Sequence, residues 1–139
     1  MLMKIQLSFP GGVAVDATVK GHLVHTDQPV PAGGDTGPSP FDLFLASIAT
    51  CMGFYALRFC QERSISTVGL GLTLEPSRQD AGGPVTTIDV ELQLPEGFPT
   101  KYAEAIRRAV DHCAVKRHMM TPPEFQLRLV ESDALALAQ

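Results

Sequence analysis

The chain has 139 residues, 45% of them hydrophobic and 19% charged, which bounds it to one globular domain with one core. A formal net charge of -4, with no basic cluster along the chain, lacks the electrostatic footprint of a nucleic-acid binder. Three cysteines without a C-x-x-C signal neither a disulfide scaffold nor a structural zinc site.

The N-terminal stretch lacks the apolar core and small-residue cleavage site of a secretory signal, so a reducing, cytoplasmic setting is the expectation. Met3 to Phe9 alternates, with Met3, Ile5, Leu7 and Phe9 on one face, and predicts a strand. Gly11-Gly12 turns the chain into a second strand, Val13 to Val19, and Lys20-Gly21 into a third extended piece, Gly21 to Asp27. Gln28 to Pro40 is dense in Pro and Gly and predicts an irregular loop. A helix begins at its end: Ser39 caps, Pro40 suits the first helical position, and Asp42 stands at capping-box spacing from Ser39. This helix is expected to run to about Arg63. Strands are expected at Thr67 to Glu75 and Thr86 to Leu94, the second with Ile88, Val90, Leu92 and Leu94 on one face, joined by a loop at Ser77 to Gly83. A second helix, about Lys101 to Cys113, carries Tyr102, Ala105, Ile106, Ala109, Val110 and Cys113 as a buried stripe. A short helical piece around Val115 to Met119 and a last strand, Phe125 to Glu131, complete a single domain spanning 1-139.

The first helix raises the functional question. From Leu43 to Leu57 it has 15 residues without a charge, short of the roughly 20 that a membrane span requires. A helix apolar on every side must be covered on every side, and one more helix with about six strands cannot cover it. A homodimer that packs this helix against its symmetry mate is the simplest remedy. Near its middle is Cys51. Cys60, nine residues on, points to the opposite side of the helix and reads as a small buried hydrophobe. Mid-helix placement gives Cys51 little help from the helix dipole, so a reactive thiolate there needs a cation. Candidates are His22, His25 and Lys20 from the N-terminal strands and Arg58, two turns along the same helix; only one of the histidines, three apart on a strand, can face the site. Cys51 and Cys113, each on a buried helical face, are either packing residues or a pair passing through thiolate, sulfenic acid and disulfide. Acyl chemistry at Cys51 with a histidine base, and a metal site around Cys113 and His118, are further readings of the same residues.

Two segments, "GGDTGPSPFDLFLASIATC" (Gly33 to Cys51) and "AIRRAVDHCAVKRHM" (Ala105 to Met119), resemble the osmotically induced and organic hydroperoxide resistance proteins (OsmC/Ohr), and the order of elements agrees along nearly the whole chain. The resemblance implies an α+β fold, an intertwined homodimer with antiparallel sheets wrapped around two central helices and sites at the subunit interface. It further implies that Cys51 is the peroxidatic and Cys113 the resolving cysteine, reducing small organic hydroperoxides with electrons from an external dithiol and no bound cofactor or metal. His22, His25 and Arg58 are the candidate thiolate-stabilising residues. The chain departs from the peroxidase branch of that family. Phe41 stands where that branch has a glutamate, no arginine precedes Arg58, and Ala114 replaces a proline after the second cysteine. The alternative is a binding or sensing protein on the same dimer, with an apolar ligand and Cys51 lining its pocket.

Overall fold

The computed structural model describes residues 3-132. Among them, strands β1 (Ile5–Gly11), β2 (Ala14–Val19) and β3 (His22–Thr26) are followed by the long helix α1 (Pro40–Glu62). Then come β4 (Gly71–Arg78) and β5 (Val85–Gln93), a single 3-10 turn at Thr100–Tyr102, and helices α2 (Ala103–Asp111) and α3 (Ala114–Met120). The strands form two separate antiparallel sheets, a β1-β2-β3 meander and a β4-β5 hairpin. Ile5 pairs with Val19 and Val15 with Thr26 in the first; Leu72 pairs with Leu92 and Leu74 with Val90 in the second. Lys20 and Gly21 both have positive φ, 50° and 81°, as the tight turn between two right-handed twisted strands requires.

The start of α1 follows its sequence signature. The Ser39 hydroxyl accepts from the Asp42 N–H at 3.2 Å, and the Asp42 carboxylate accepts from the Ser39 N–H at 2.8 Å, so the box closes with an aspartate in place of the usual glutamate. The Ser39 N–H first, and the Ser39 hydroxyl second, bond to the Asp42 carboxyl and hold it below its ordinary value against the effect of burial. Ile48, Met52, Ala56, Phe59 and Cys60 form the buried stripe of α1 and meet Ile106, Val110 and Cys113; Ile88, Val90 and Leu92 of β5 close the core from the sheet side. Only that stripe is covered: Phe54 and Leu57 on the opposite side of α1 are exposed.

Three expectations are corrected. The strand expected at Thr67 to Glu75 starts at Gly71, because Gly69 takes φ 82° and the Leu70 N–H bonds back to the Thr67 carbonyl. It then runs on to Arg78 through Pro76, which a two-stranded sheet tolerates because each strand has an unpaired side. The helix expected to reach Cys113 ends at Asp111; Cys113 is extended, with φ -47° and ψ 119°, and caps α3. The strand expected at Phe125 to Glu131 is not formed among the described residues. The segment has no ladder partner, and its apolar side chains are bare, with Leu127 92% exposed. The β1-β2-β3 meander is similarly unfinished. Ile5, Leu7 and Phe9 share a face as expected, yet Phe9 is 76% exposed and the meander packs extensively against none of the helices.

Candidate active site

Helix α3 packs against α1, and its first turn meets the middle of α1 where Cys51 lies. The contact follows from the break at Cys113. By leaving the helical path there, the chain turns α3 so that its leading N–H groups are free of intrahelical partners and aimed at a neighbour. The Cys113 sulfur itself accepts the Lys116 N–H at 3.4 Å and sits 3.9 Å from the Ile48 carbonyl oxygen. Cys113 is fully buried, whereas Cys51 is partly buried.

The two thiols lie side by side at the edge of the core and differ in acidity. Burial pushes the Cys51 thiol up, but donation from the Val115 N–H, the Cys113 S–H and the Ala114 N–H, together with the charge of Arg117, outweighs it and leaves the thiol below its ordinary value. Burial raises the Cys113 thiol; the Lys116 N–H opposes that, and the Cys51 sulfur adds to it, both as the acceptor of the Cys113 proton and through its charge. One thiol is therefore biased toward thiolate and its neighbour toward thiol, which is the division of labour between an attacking sulfur and a resolving one. Cys60 lies fully buried in the core stripe near the C-terminal end of α1, and burial raises its thiol against the charge of Arg63.

The other sequence candidates lie elsewhere. Arg58 bonds Glu62 at 2.8 Å on the exposed side of α1. His22 is exposed at the start of β3. The His25 ring is held between Asp16 Oδ1, 2.5 Å from Nδ1, and Thr36 Oγ1, 2.9 Å from Nε2. Thr36 donates its hydroxyl to Asp27 at 2.7 Å, and the Asp27 carboxylate also accepts from the N–H groups of Gln28, Gly34 and Thr36. The loop motif "GGDTG" thus wraps a buried carboxylate. A Cβ at Gly33 would lie 2.5 Å from the Gln28 carbonyl oxygen and 2.6 Å from an Asp27 oxygen, and one at Gly37 would lie 2.7 Å from the His25 ring.

This loop predicts an acid response. Asp27 titrates at about 2 in the fold rather than at 3.8, because the Thr36 hydroxyl, then the Thr36 and Gln28 N–H groups, hold its charged form more strongly than burial opposes it, with Gly34 adding to them. A carboxyl lowered in the fold stabilises it above the unfolded value and loses that contribution as pH falls through the folded value. Acid unfolding followed by circular dichroism should show Asp27→Asn less stable than the parent near neutrality, with the gap closing between about pH 4 and pH 2. A gap that stays constant over that range would rule out the ionised carboxylate as the loop's anchor.

What sequence reading missed is the pair of N–H groups, those of Ala114 and Val115, at the start of α3. The available signal was Cys113 as a cap, since it places Ala114 and Val115 in the first turn of α3. Beside the thiol pair, α1, β5 and α2 enclose an apolar groove of about 1140 Å³. Phe41, Phe44, Ile88 and Ile106 are among its walls, and Arg78, Arg107, Arg108 and Lys116 stand at its edge. Arg78 stacks 5.3 Å from the centre of the Phe41 ring. Neither Cys51 nor Cys113 is among the described residues that line this groove.

By length and hydropathy α1 would suffice to cross a bilayer, but it is the central helix of this fold, with α2, α3 and β4 packed on it. An α+β chain with two antiparallel sheets, a central helix and a thiol pair between that helix and a later one defines the class. The family model described as OsmC-like protein matches residues 33–128, and the chain belongs to the OsmC-like family. Solved structures share the fold. A protein from Psychrobacter arcticus 273-4, described as a candidate osmotic stress induced and detoxification response protein, is 20% identical with a TM-score of 0.67, covering 84% of this chain and 88% of that one. An OsmC-like protein from Mycoplasma pneumoniae is 15% identical at a TM-score of 0.63, covering 88% and 89%. An organic hydroperoxide resistance protein OsmC from Legionella pneumophila is 19% identical at 0.56, covering 86% and 89%. No curated protein sequence matches the chain.

Proposed function

We propose that the protein is a thiol-dependent reductase of organic hydroperoxides that acts as a cytoplasmic homodimer, with Cys51 as the peroxidatic cysteine and Cys113 as the resolving one. The observation that carries this reading is the placement of a partly open Cys51 against a buried Cys113 between α1 and α3, and the acidity of the two thiols, lowered at Cys51 and raised at Cys113, agrees with it. The Cys51 thiolate attacks the terminal oxygen of the hydroperoxide, the O–O bond breaks, and the alcohol leaves with a proton while Cys51 becomes a sulfenic acid. Cys51 then no longer carries the charge that raised the Cys113 thiol, so oxidation itself eases ionisation of the resolving sulfur. Cys113 attacks the sulfenic sulfur, the Cys51–Cys113 disulfide forms and water leaves; an external dithiol returns both thiols and is itself oxidised to a disulfide. The hydroperoxide resistance ascribed to the Legionella pneumophila relative agrees with this chemistry.

The dimer is proposed from the unfinished apolar faces. Ile5, Leu7 and Phe9 on the meander, and Phe125, Leu127 and Leu129 beyond α3, are exposed in one chain, and a second copy would cover both.

A binding role is the second reading, favoured by the size and apolar lining of the groove at α1, β5 and α2. Peptide mapping of the reduced protein after one equivalent of an organic hydroperoxide separates the two. The enzyme should form a Cys51–Cys113 disulfide faster with the organic oxidant than with hydrogen peroxide. Oxidation at the pace of a free cysteine would discard the reductase in favour of a ligand protein.

A further inference from the structure

The thiol chemistry makes no use of the meander, yet a chain of polar side chains runs from it into the loop before α1. Asp16 and His25 are direct partners on β2 and β3, so both leave the sheet on one face, opposite the face that bears Ile5 and Leu7. Asp16 Oδ1 lies 2.5 Å from His25 Nδ1, Thr36 Oγ1 lies 2.9 Å from His25 Nε2, and Asp27 Oδ2 lies 2.7 Å from Thr36 Oγ1. The loop closes tightly on this face, since a Cβ at Gly37 would come within 2.7 Å of the His25 ring.

Donor counting places the protons along the chain. Asp27 is ionised across the neutral range and accepts from the Gln28, Gly34 and Thr36 N–H groups, so the single Thr36 hydroxyl proton goes to it as well. The Thr36 oxygen then turns a lone pair to His25 Nε2, and Nε2 must carry a hydrogen. On the other side of the ring, a bare Nδ1 against an ionised Asp16 would set two acceptors 2.5 Å apart. One further proton is therefore held between Asp16 and His25.

We infer that Asp16, His25 and Thr36 form a proton-dependent latch, closed while the Asp16–His25 pair holds this further proton, that fastens the polar face of the meander to the loop entering α1. When the proton leaves, the two acceptors repel. The Asp16 side chain, only 13% exposed, has little room to turn away, whereas the His25 ring, 37% exposed, swings outward and releases Thr36. The closed latch holds one proton more than the open one, so rising pH favours opening. The effect reaches past the loop because the meander packs extensively against none of the helices. Its setting relative to α1 depends on this latch and on the bond from the Asp27 N–H to the Pro38 carbonyl at 3.2 Å.

Among the described residues, no other titratable side chain bonds the ring. Ser8 is the residue of β1 opposite Asp16, His22 is on the other face of β3, and Lys4 and Lys20 are at the far end of the meander. Asp35 is exposed in the loop, and Asp42 is held by Ser39 at the cap of α1.

The test is hydrogen exchange of peptides covering residues 28–38, corrected for intrinsic rates, from about pH 5 to about pH 9, a range in which Asp27 stays ionised. In the parent, protection of these amides should fall by about three- to tenfold toward the alkaline end. The amide introduced by Asp16→Asn donates to a bare Nδ1, so this variant keeps the latch closed without the further proton, and its protection should not change with pH. A merely structural role for Asp16 would not produce that difference. Nitrogen-15 spectra of the imidazole should show hydrogen on Nε2 at both ends of the range. Parent protection independent of pH, an equal fall in Asp16→Asn, or a ring with its hydrogen on Nδ1 alone would each overturn the latch.

Discussion

Cys51→Ser is expected to reduce hydroperoxide consumption to the level of the buffer, and Cys113→Ser to stop the reaction after one turnover with one oxygen atom added at Cys51. Serine keeps the size of the side chain but not the acidity, so the Val115 and Ala114 N–H groups are left facing a hydroxyl that does not ionise near neutrality. Neither remaining cysteine can take over. Cys60 and Cys113 are both fully buried, and burial raises each of their thiols. In Cys113→Ser the attacking sulfur remains, but the sulfenic acid it forms has no neighbouring thiol to condense with. Peroxide consumption with a dithiol in excess, together with intact mass after one equivalent of oxidant, distinguishes the two variants. Undiminished turnover without Cys51 would end the peroxidase reading.

The second large effect is on assembly. Light scattering should give twice the 14.9 kDa of one chain, and the double variant Leu7→Lys/Leu127→Lys should lose the dimer. Leu7 is 59% exposed and Leu127 92% exposed in a single chain. Covering one leucine side chain contributes about 1.5–3 kcal/mol, so a lysine at both places removes several kcal/mol from the assembly in each subunit before its charge is counted. A parent that scatters as a monomer, with the thermal stability of the double variant, would show that these faces are not covered by a second copy.

These two expectations mark how far the sequence could be read. Helix α1 was legible because its signals are local: Ser39, Pro40 and Asp42 fix the start within one turn, and those bonds form as the spacing requires. The inward face of β5 was legible for the same reason, since Ile88, Val90 and Leu92 alternate and do pack on the core. The segment Phe125 to Glu131 alternates as well, but a strand exists only with a neighbour, and periodicity does not say which chain supplies it. The site was half legible. Cys51 and Cys113 could be singled out as thiols on core-facing positions, but what favours the Cys51 thiolate could not be found by spacing along α1 or β3. It depends on where α3 goes after Cys113 leaves the helix, a tertiary fact. His25 shows the converse: its alternation was consistent with facing a thiol, but Asp16 and Thr36 hold both of its ring nitrogens.

Cys60 gives the molecule a use that its chemistry does not suggest. The same helix carries one sulfur that is partly open and another sealed in the core, joined in one covalent chain and therefore always present in equal amount. A reagent can reach Cys60 only when the core packed on α1 opens, so its labelling measures breathing of that core, while labelling of Cys51 measures the reactivity of the site. The ratio of the two in a single digest separates a variant that is chemically weakened from one that is coming apart, without a second protein as standard. The chain carries its own calibration.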